Sequence, residues 1–268
     1  ISVLAIGRSK MQLESHLTNR ERGGVMSTEI EIKKMARESF IGIYEKDGYS
    51  ALKTAVQDFI ARKTFKGMDP NVRNILKGEC AEILITARIK DMQENTDVET
   101  FSVKGLCFTK LGSDYTTELD LTLFTPRRIY LFECKSYNGK KTLTREGYLK
   151  GRFSEIDVYA QSKLHAEFLW SRIGQCHIGK VNKSDPAFQM ILMDVSDGVC
   201  EDLREPKYRR VLQYLNVDTL DNWFRGVEKE IQTGTAQWDI MRLYDVVGEL
   251  HKNSAKMFQK HLAQNGGK

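Results

Sequence analysis

The sequence predicts an α/β fold with helical extensions at both ends. Leu119, Leu121 and Leu123 alternate with Glu118, Asp120 and Thr122, the two-residue period of a half-buried strand. Residues 129–132, Ile-Tyr-Leu-Phe, open a second apolar run, and residues 188–195 form a third. Apolar residues at helical spacing fill the stretches before, between and after these runs.

Residues 1–24 are polar and end in Gly23-Gly24, which reads as a flexible lead. From Ser27 to about Phe65 the periodicity is helical and breaks near Asp47-Gly48, so two helices are expected. Gly67-Met68-Asp69-Pro70 separates this segment from a helix beginning at Asn71. The apolar arc of that helix is Leu76, Cys80, Ile83, Leu84 and Ala87. At about 100° per residue Glu79 falls on the edge of the arc and Glu82 lies further round.

Thr125-Pro126-Arg127-Arg128 then joins two strands, with Pro at the favoured second position of a turn. A four-residue turn there pairs residues whose numbers sum to 253. Asp120 then faces Glu133 and Glu118 faces Lys135. Glu133 and Lys135 share one face, and Cys134 points to the other. A helix over about 155–170 follows, with Gln161 and His165 one turn apart among Val158, Leu164, Phe168 and Leu169. After Glu205-Pro206 the chain reads as mainly helical, through Trp223 and over about 235–264, where Met241, Tyr244, Val247 and Leu250 outline an amphipathic face. Three regions result: a lead and helical extension over 1–69, a core over 70–200 and a helical region over 201–268. No internal repeat or low-complexity tract interrupts them.

The chain of 268 residues is 41% hydrophobic and 29% charged, the composition of a soluble globular protein. Its net charge of +5 permits a polyanionic partner without demanding one. No apolar run approaches the ~20 residues of a membrane span. The apolar stretch over 1–6 is too short for the core of a signal peptide. Five cysteines without Cys-x-x-Cys spacing fit free thiols in the cytoplasm better than disulfides or a zinc site. Phosphate-loop and zinc-finger signatures are absent, so any ATP-driven partner is expected to be a separate protein. Association into homo-oligomers stays open.

The chemistry concentrates on the hairpin. Asp120 and Glu133, packed together, repel unless a cation stands between them, and their hard oxygens suit Mg²⁺ or Mn²⁺. Lys135 beside them can steady developing negative charge. The plainer reading is an exposed hairpin face with cross-strand ion pairs. Glu79, an acid at a core boundary, needs pairing or a metal. Gln161 and His165 are either hydrogen-bonded core residues or groups that orient a ligand. Lys135, Lys140, Lys141, Arg145, Lys150, Arg152 and Lys163 offer a phosphate track, to which Tyr137 and Tyr148 add sugar or base contacts. Lys207-Tyr208-Arg209-Arg210 is a second basic cluster with no evident place in the fold.

Four pieces occur in one order: Gly78-Glu79-Cys80-Ala81-Glu82; Glu118-Leu119-Asp120; Glu133-Cys134-Lys135 followed by Tyr137-Asn138-Gly139; and Gln161-x-x-x-His165-x-x-x-Leu169. Over roughly residues 75–198 this resembles the nuclease-related domain (NERD) of the PD-(D/E)XK nuclease superfamily. The resemblance implies a restriction-endonuclease-like mixed sheet flanked by helices. It implies that Asp120 and Glu133 bind metal, that Lys135 is catalytic, that Glu79 completes or supports the metal site, and that Gln161 orders it. Ala81, Leu121 and Asp157-Val158 depart from the family's usual second glycine, histidine and Asn-Pro pair, and none of these removes an expected ligand. The chain is therefore expected to be an Mg²⁺- or Mn²⁺-dependent nuclease acting on DNA. A nucleic-acid-binding module without catalysis and an interaction protein with a structural acidic hairpin are the alternatives.

Overall fold

The computed structural model describes residues 29–61, 70–135, 139–152, 154–179, 186–195 and 199–265. The lead over 1–24, Gly67 to Asp69, Tyr137 and Asn138 lie outside them. Helix α1 (Glu29–Ala61) is two helices joined across a kink at Gly48, whose φ of 78° suits a residue without Cβ, as the Asp47-Gly48 break predicts. Helix α2 (Pro70–Glu94) packs against it.

The strands β1 (Phe101–Thr109), β2 (Thr116–Phe124) and β3 (Ile129–Lys135) form an antiparallel meander. The β2–β3 register is the expected one: Phe124 pairs with Ile129, Leu123 with Tyr130 and Leu121 with Phe132. Thr125 organises the turn, accepting from the N–H groups of Arg127 and Arg128 and donating its hydroxyl to the carbonyl of Arg128 at 2.8 Å. Three short strands, β4 (Lys141–Leu143), β5 (Leu149–Lys150) and β6 (Glu155–Ile156), lead to helix α3 (Val158–Ile173), capped by the Asp157 carboxylate on Ala160 N–H. Strand β7 (Phe188–Asp194) returns parallel to β3. Then come β8 (Cys200–Asp202), α4 (Pro206–Val211), β9 (Leu212–Asn216), α5 (Leu220–Thr233), α6 (Ile240–Lys252) and α7 (Ser254–Asn265).

Among the described residues the main sheet is mixed, in the order β1-β2-β3-β7-β9, and a small sheet runs β6-β5-β4-β8. Strand β9 corrects the reading of this stretch as helical. Leu-Gln-Tyr-Leu-Asn is five residues long and shows little alternation, but β7 offers it a parallel edge. One face of the main sheet carries Leu121, Phe132 and Ile191 and packs on Phe40, Leu52 and Phe59 of α1, Leu84 and Ile85 of α2, and Phe224 of α5. The other carries Leu131 and Leu192 and packs on Phe168 and Leu169 of α3 and Leu243 and Val247 of α6. Each such side chain contributes about 1.5–3 kcal/mol on burial. On α6 the buried residues are Leu243 and Val247, while Met241 and Tyr244 are exposed, which moves the expected apolar face by part of a turn. None of the five cysteines forms a disulfide. No described helix is long and apolar enough to cross a membrane.

Alternation fails at one place. Leu119 belongs to the α3-side cluster and Leu121 to the α2-side cluster, although they are two residues apart on one strand. Lys104 likewise faces α2, while Leu106 joins the α3-side cluster. The β1–β2 register is the same on both sides of the break, with Lys104 opposite Leu121 and Leu106 opposite Leu119. Gly105, at φ 61°, lets β1 turn over there, opposite Asp120. The expectation that Leu119, Leu121 and Leu123 share a face is thus corrected at Leu119.

Candidate active site

The β2–β3 ladder stops at Leu121 and Phe132, while β2 continues with β1 and β3 continues with β7. The sheet therefore splits just beyond the paired positions, between Asp120 and Glu133. The Asp120 carboxylate reaches into the split and accepts from the N–H of Cys134 at 2.8 Å, in place of a ladder bond. This brings Asp120 to the residue next to Glu133, in the sequence-derived register but through a side chain.

Glu133 is buried and held from α3 and from its own strand. Gln161 Nε2 donates to Oε1 at 2.8 Å, Lys135 Nζ lies 2.5 Å from the same oxygen, and His165 Nδ1 lies 3.5 Å from Oε2. Gln161 and His165 thus meet on Glu133, one helical turn apart. Burial lowers the His165 pKa to about 4, with the charges of Lys135 and His261 adding to the effect. The imidazole is accordingly neutral at neutral pH. Cys134 turns to the other face and packs against the α2-side cluster, as the alternation requires.

On the α2 side Glu79 is fully buried and ion-paired to Arg37 of α1 and to Lys104, the latter at 2.6 Å. Lys104 also lies 2.6 Å from Glu82 Oε2. Sequence reasoning set Glu82 aside because it lies off the apolar arc of α2. Only the overturned strand at Gly105 turns Lys104 to meet both acids. Burial raises the Glu82 pKa to about 7; Lys104 lowers it, and the negative charges of Asp120 and Glu79 raise it. Burial also raises the Cys134 thiol well above its ordinary value, with Asp120, Glu82 and Glu133 adding to that effect. These three carboxylates thus act on one point at the mouth of the split.

Among the described residues no group of three or more His, Cys, Asp or Glu side chains stands ready to hold a metal ion. The donors still suit one. They are hard carboxylate oxygens, and those of Asp120, Glu82 and Glu133 all act on the Cys134 thiol.

Lys141, expected on the phosphate track, is instead fully buried. Its Nζ lies 2.6 Å from Asp194, which also accepts from the Tyr214 hydroxyl at 2.7 Å. This pair ties the small sheet to the ends of β7 and β9. Lys140, Arg145, Lys150, Arg152 and Lys163 remain exposed. The second basic cluster finds its place on α4 beside them. Glu205 N–H donates to the Arg145 carbonyl, and the Tyr208 ring packs edge-on against Tyr159 at 4.7 Å.

The family model of NERD, the nuclease-related domain, matches residues 77–191, a span that holds Glu79, Glu82, Asp120, Glu133, Lys135, Gln161 and His165. The resemblance read from the four motifs is thereby borne out. No curated protein matches the chain. Among solved structures, protein VC1899 from Vibrio cholerae is similar at 16% identity and a TM-score of 0.39, over 85% of this chain and 52% of that one. The chain thus spans about half the length of VC1899. The protein of unknown function AF1548 is similar at 10% identity and a TM-score of 0.29, over 68% of this chain and 96% of that one.

Proposed function

We propose that this nuclease-related chain is a metal-dependent deoxyribonuclease of the PD-(D/E)XK type. The observation that supports the reading best is the split between β2 and β3, where Asp120, Glu133 and Lys135 gather. Asp120 and Glu133 would hold Mg²⁺ or Mn²⁺, with Glu82 at the same mouth and Glu79 supporting it through Lys104. The bound ion would supply Lewis-acid activation of water and neutralise charge on the attacked phosphate.

Lys135, released from Glu133, would stabilise the negative charge that develops on the phosphate. Gln161 keeps Glu133 oriented by its 2.8 Å hydrogen bond. His165, neutral at working pH, adds no positive charge of its own beside Glu133. The exposed bases on the small sheet and α4 would contact the DNA backbone, which gives register and affinity but little sequence preference. The partner is DNA; any ATP-driven partner is a separate protein, and self-association is compatible with the reading.

Incubation with linear, circular and single-stranded DNA tests it. Cleavage with Mg²⁺ or Mn²⁺ and none with EDTA is expected. Cleavage undiminished in EDTA overturns the metal requirement. Salt-dependent binding without cleavage of any form, by folded protein with metal present, favours a binding module.

A further inference from the structure

Lys104 touches two acids of helix α2 at once, 2.6 Å from Glu79 and 2.6 Å from Glu82. Its side chain is 26% exposed, against 0% for Glu79 and 14% for Glu82. Two carboxylates withdrawn from water side by side repel strongly, and a cation between them offsets both charges. The chain reaches this arrangement by an unusual route. Gly105, at φ 61°, turns β1 over so that Lys104 faces α2 instead of the α3 side. Its cross-strand partner is Leu121, the neighbour of Asp120. The ammonium group thus sits beside the mouth of the split, where a metal ion bound by Glu79 and Glu82 would otherwise have to be.

We propose that Lys104 is a built-in cation that occupies the α2 side of the cleft and restricts the site to a single divalent metal ion. This rests on the metal-dependent reading above and goes beyond it in metal number. Lys104 is a positioning residue here: it holds Glu79 and Glu82 and touches no substrate.

Calorimetric titration of the full chain with Mg²⁺ and with Mn²⁺ tests the proposal. One equivalent is expected for the parent and for Lys104→Arg, and two for Lys104→Met. Thermal unfolding supplies a second measurement. Lys104→Met should unfold at a lower temperature in EDTA and recover on adding Mg²⁺, and Lys104→Arg should show neither change. If Lys104→Met does not fold in EDTA, refolding by Mg²⁺ supports the proposal and failure to refold at saturating Mg²⁺ overturns it. Two equivalents in the parent, or one in both parent and Lys104→Met, overturn it and leave the nuclease reading standing. No metal bound by any variant overturns both.

Discussion

On the α2 side of the main sheet, Glu79 and Glu82 are held by charge, through Arg37 and Lys104. On the α3 side Glu133 is held by the neutral amide of Gln161 and by one lysine from its own strand, with neutral His165 3.5 Å away. Both acids at the centre are buried, so both need partners. The difference lies in what happens when a partner leaves. Removing a cation from Glu79 strands a charge in the interior. On the proposed reading Lys135 leaves Glu133 for a phosphate while the Gln161 amide still orients the carboxylate. On that reading the α3 side carries the chemistry and the α2 side holds charge in place.

The sharpest way to break this comparison is to remove one group at a time from the split. Asp120→Ala should abolish DNA cleavage and weaken metal binding together, because the acid at the seam is lost. Lys135→Ala should leave metal binding intact or tighter, while single-turnover cleavage falls roughly 10²–10³-fold. Calorimetry beside a cleavage assay reads both. If Lys135→Ala cleaves like the parent, the lysine belongs only to an ion pair and the α3 side has no special chemistry.

Stability should separate the two sides next. Glu79→Ala leaves Lys104 and Arg37 facing each other without the acid they share. Breaking a buried pair typically costs about 3–5 kcal/mol. Arg37 is 44% exposed and regains water, so the low end is expected in urea unfolding. Gln161→Leu removes one neutral donor from buried Glu133 and should cost about 1–3 kcal/mol. A larger loss for Gln161→Leu than for Glu79→Ala would invert the comparison.

The smallest effect is in pH. Glu82 sits at about 7 when folded, against an ordinary 4.5, so the folded state keeps a proton that the unfolded chain releases. That contribution is present below about 4.5 and is lost as pH rises to about 7. His165 sits at about 4, against 6.5, so the unfolded chain takes up a proton that the folded state refuses. Its contribution is present above 6.5 and is lost as pH falls toward 4. Between 4.5 and 6.5 the two oppose, and the parent in EDTA should change little from these groups. Glu82→Gln should lose stability toward acid and His165→Gln toward base. Each slope is bounded by about 1.4 kcal/mol per pH unit. Unfolding free energies at three pH values decide, and parallel profiles for the two variants would refute the assignment.

Much of the site was legible in advance because it is local. The turn at Thr125-Pro126-Arg127-Arg128 sets the β2–β3 register within a few residues, and the period of two puts Cys134 on the opposite face from Glu133 and Lys135. The spacing of Gln161 and His165 aligns them along α3, and both reach Glu133. Glu82 was set aside because a helical wheel ranks it by the apolar arc of its own helix and knows nothing of β1. Lys141 was read as solvent-facing because nothing local marks it as the partner of Asp194, 53 positions away.

The sequence alone determined the β2–β3 hairpin and its register, the kink at Gly48 and the gathering of Asp120, Glu133 and Lys135 around one turn. These follow from periodicity and turn geometry, which act between residues close in the chain. Tertiary structure decided the rest: that β1 turns over at Gly105, that Lys104 bridges Glu79 and Glu82, that β9 completes the sheet, and that α1 supplies Arg37. Each of these joins segments far apart in sequence. Their charges and edges find partners only once the two hydrophobic faces of the sheet have been covered, because only then does burial make an unpaired group costly.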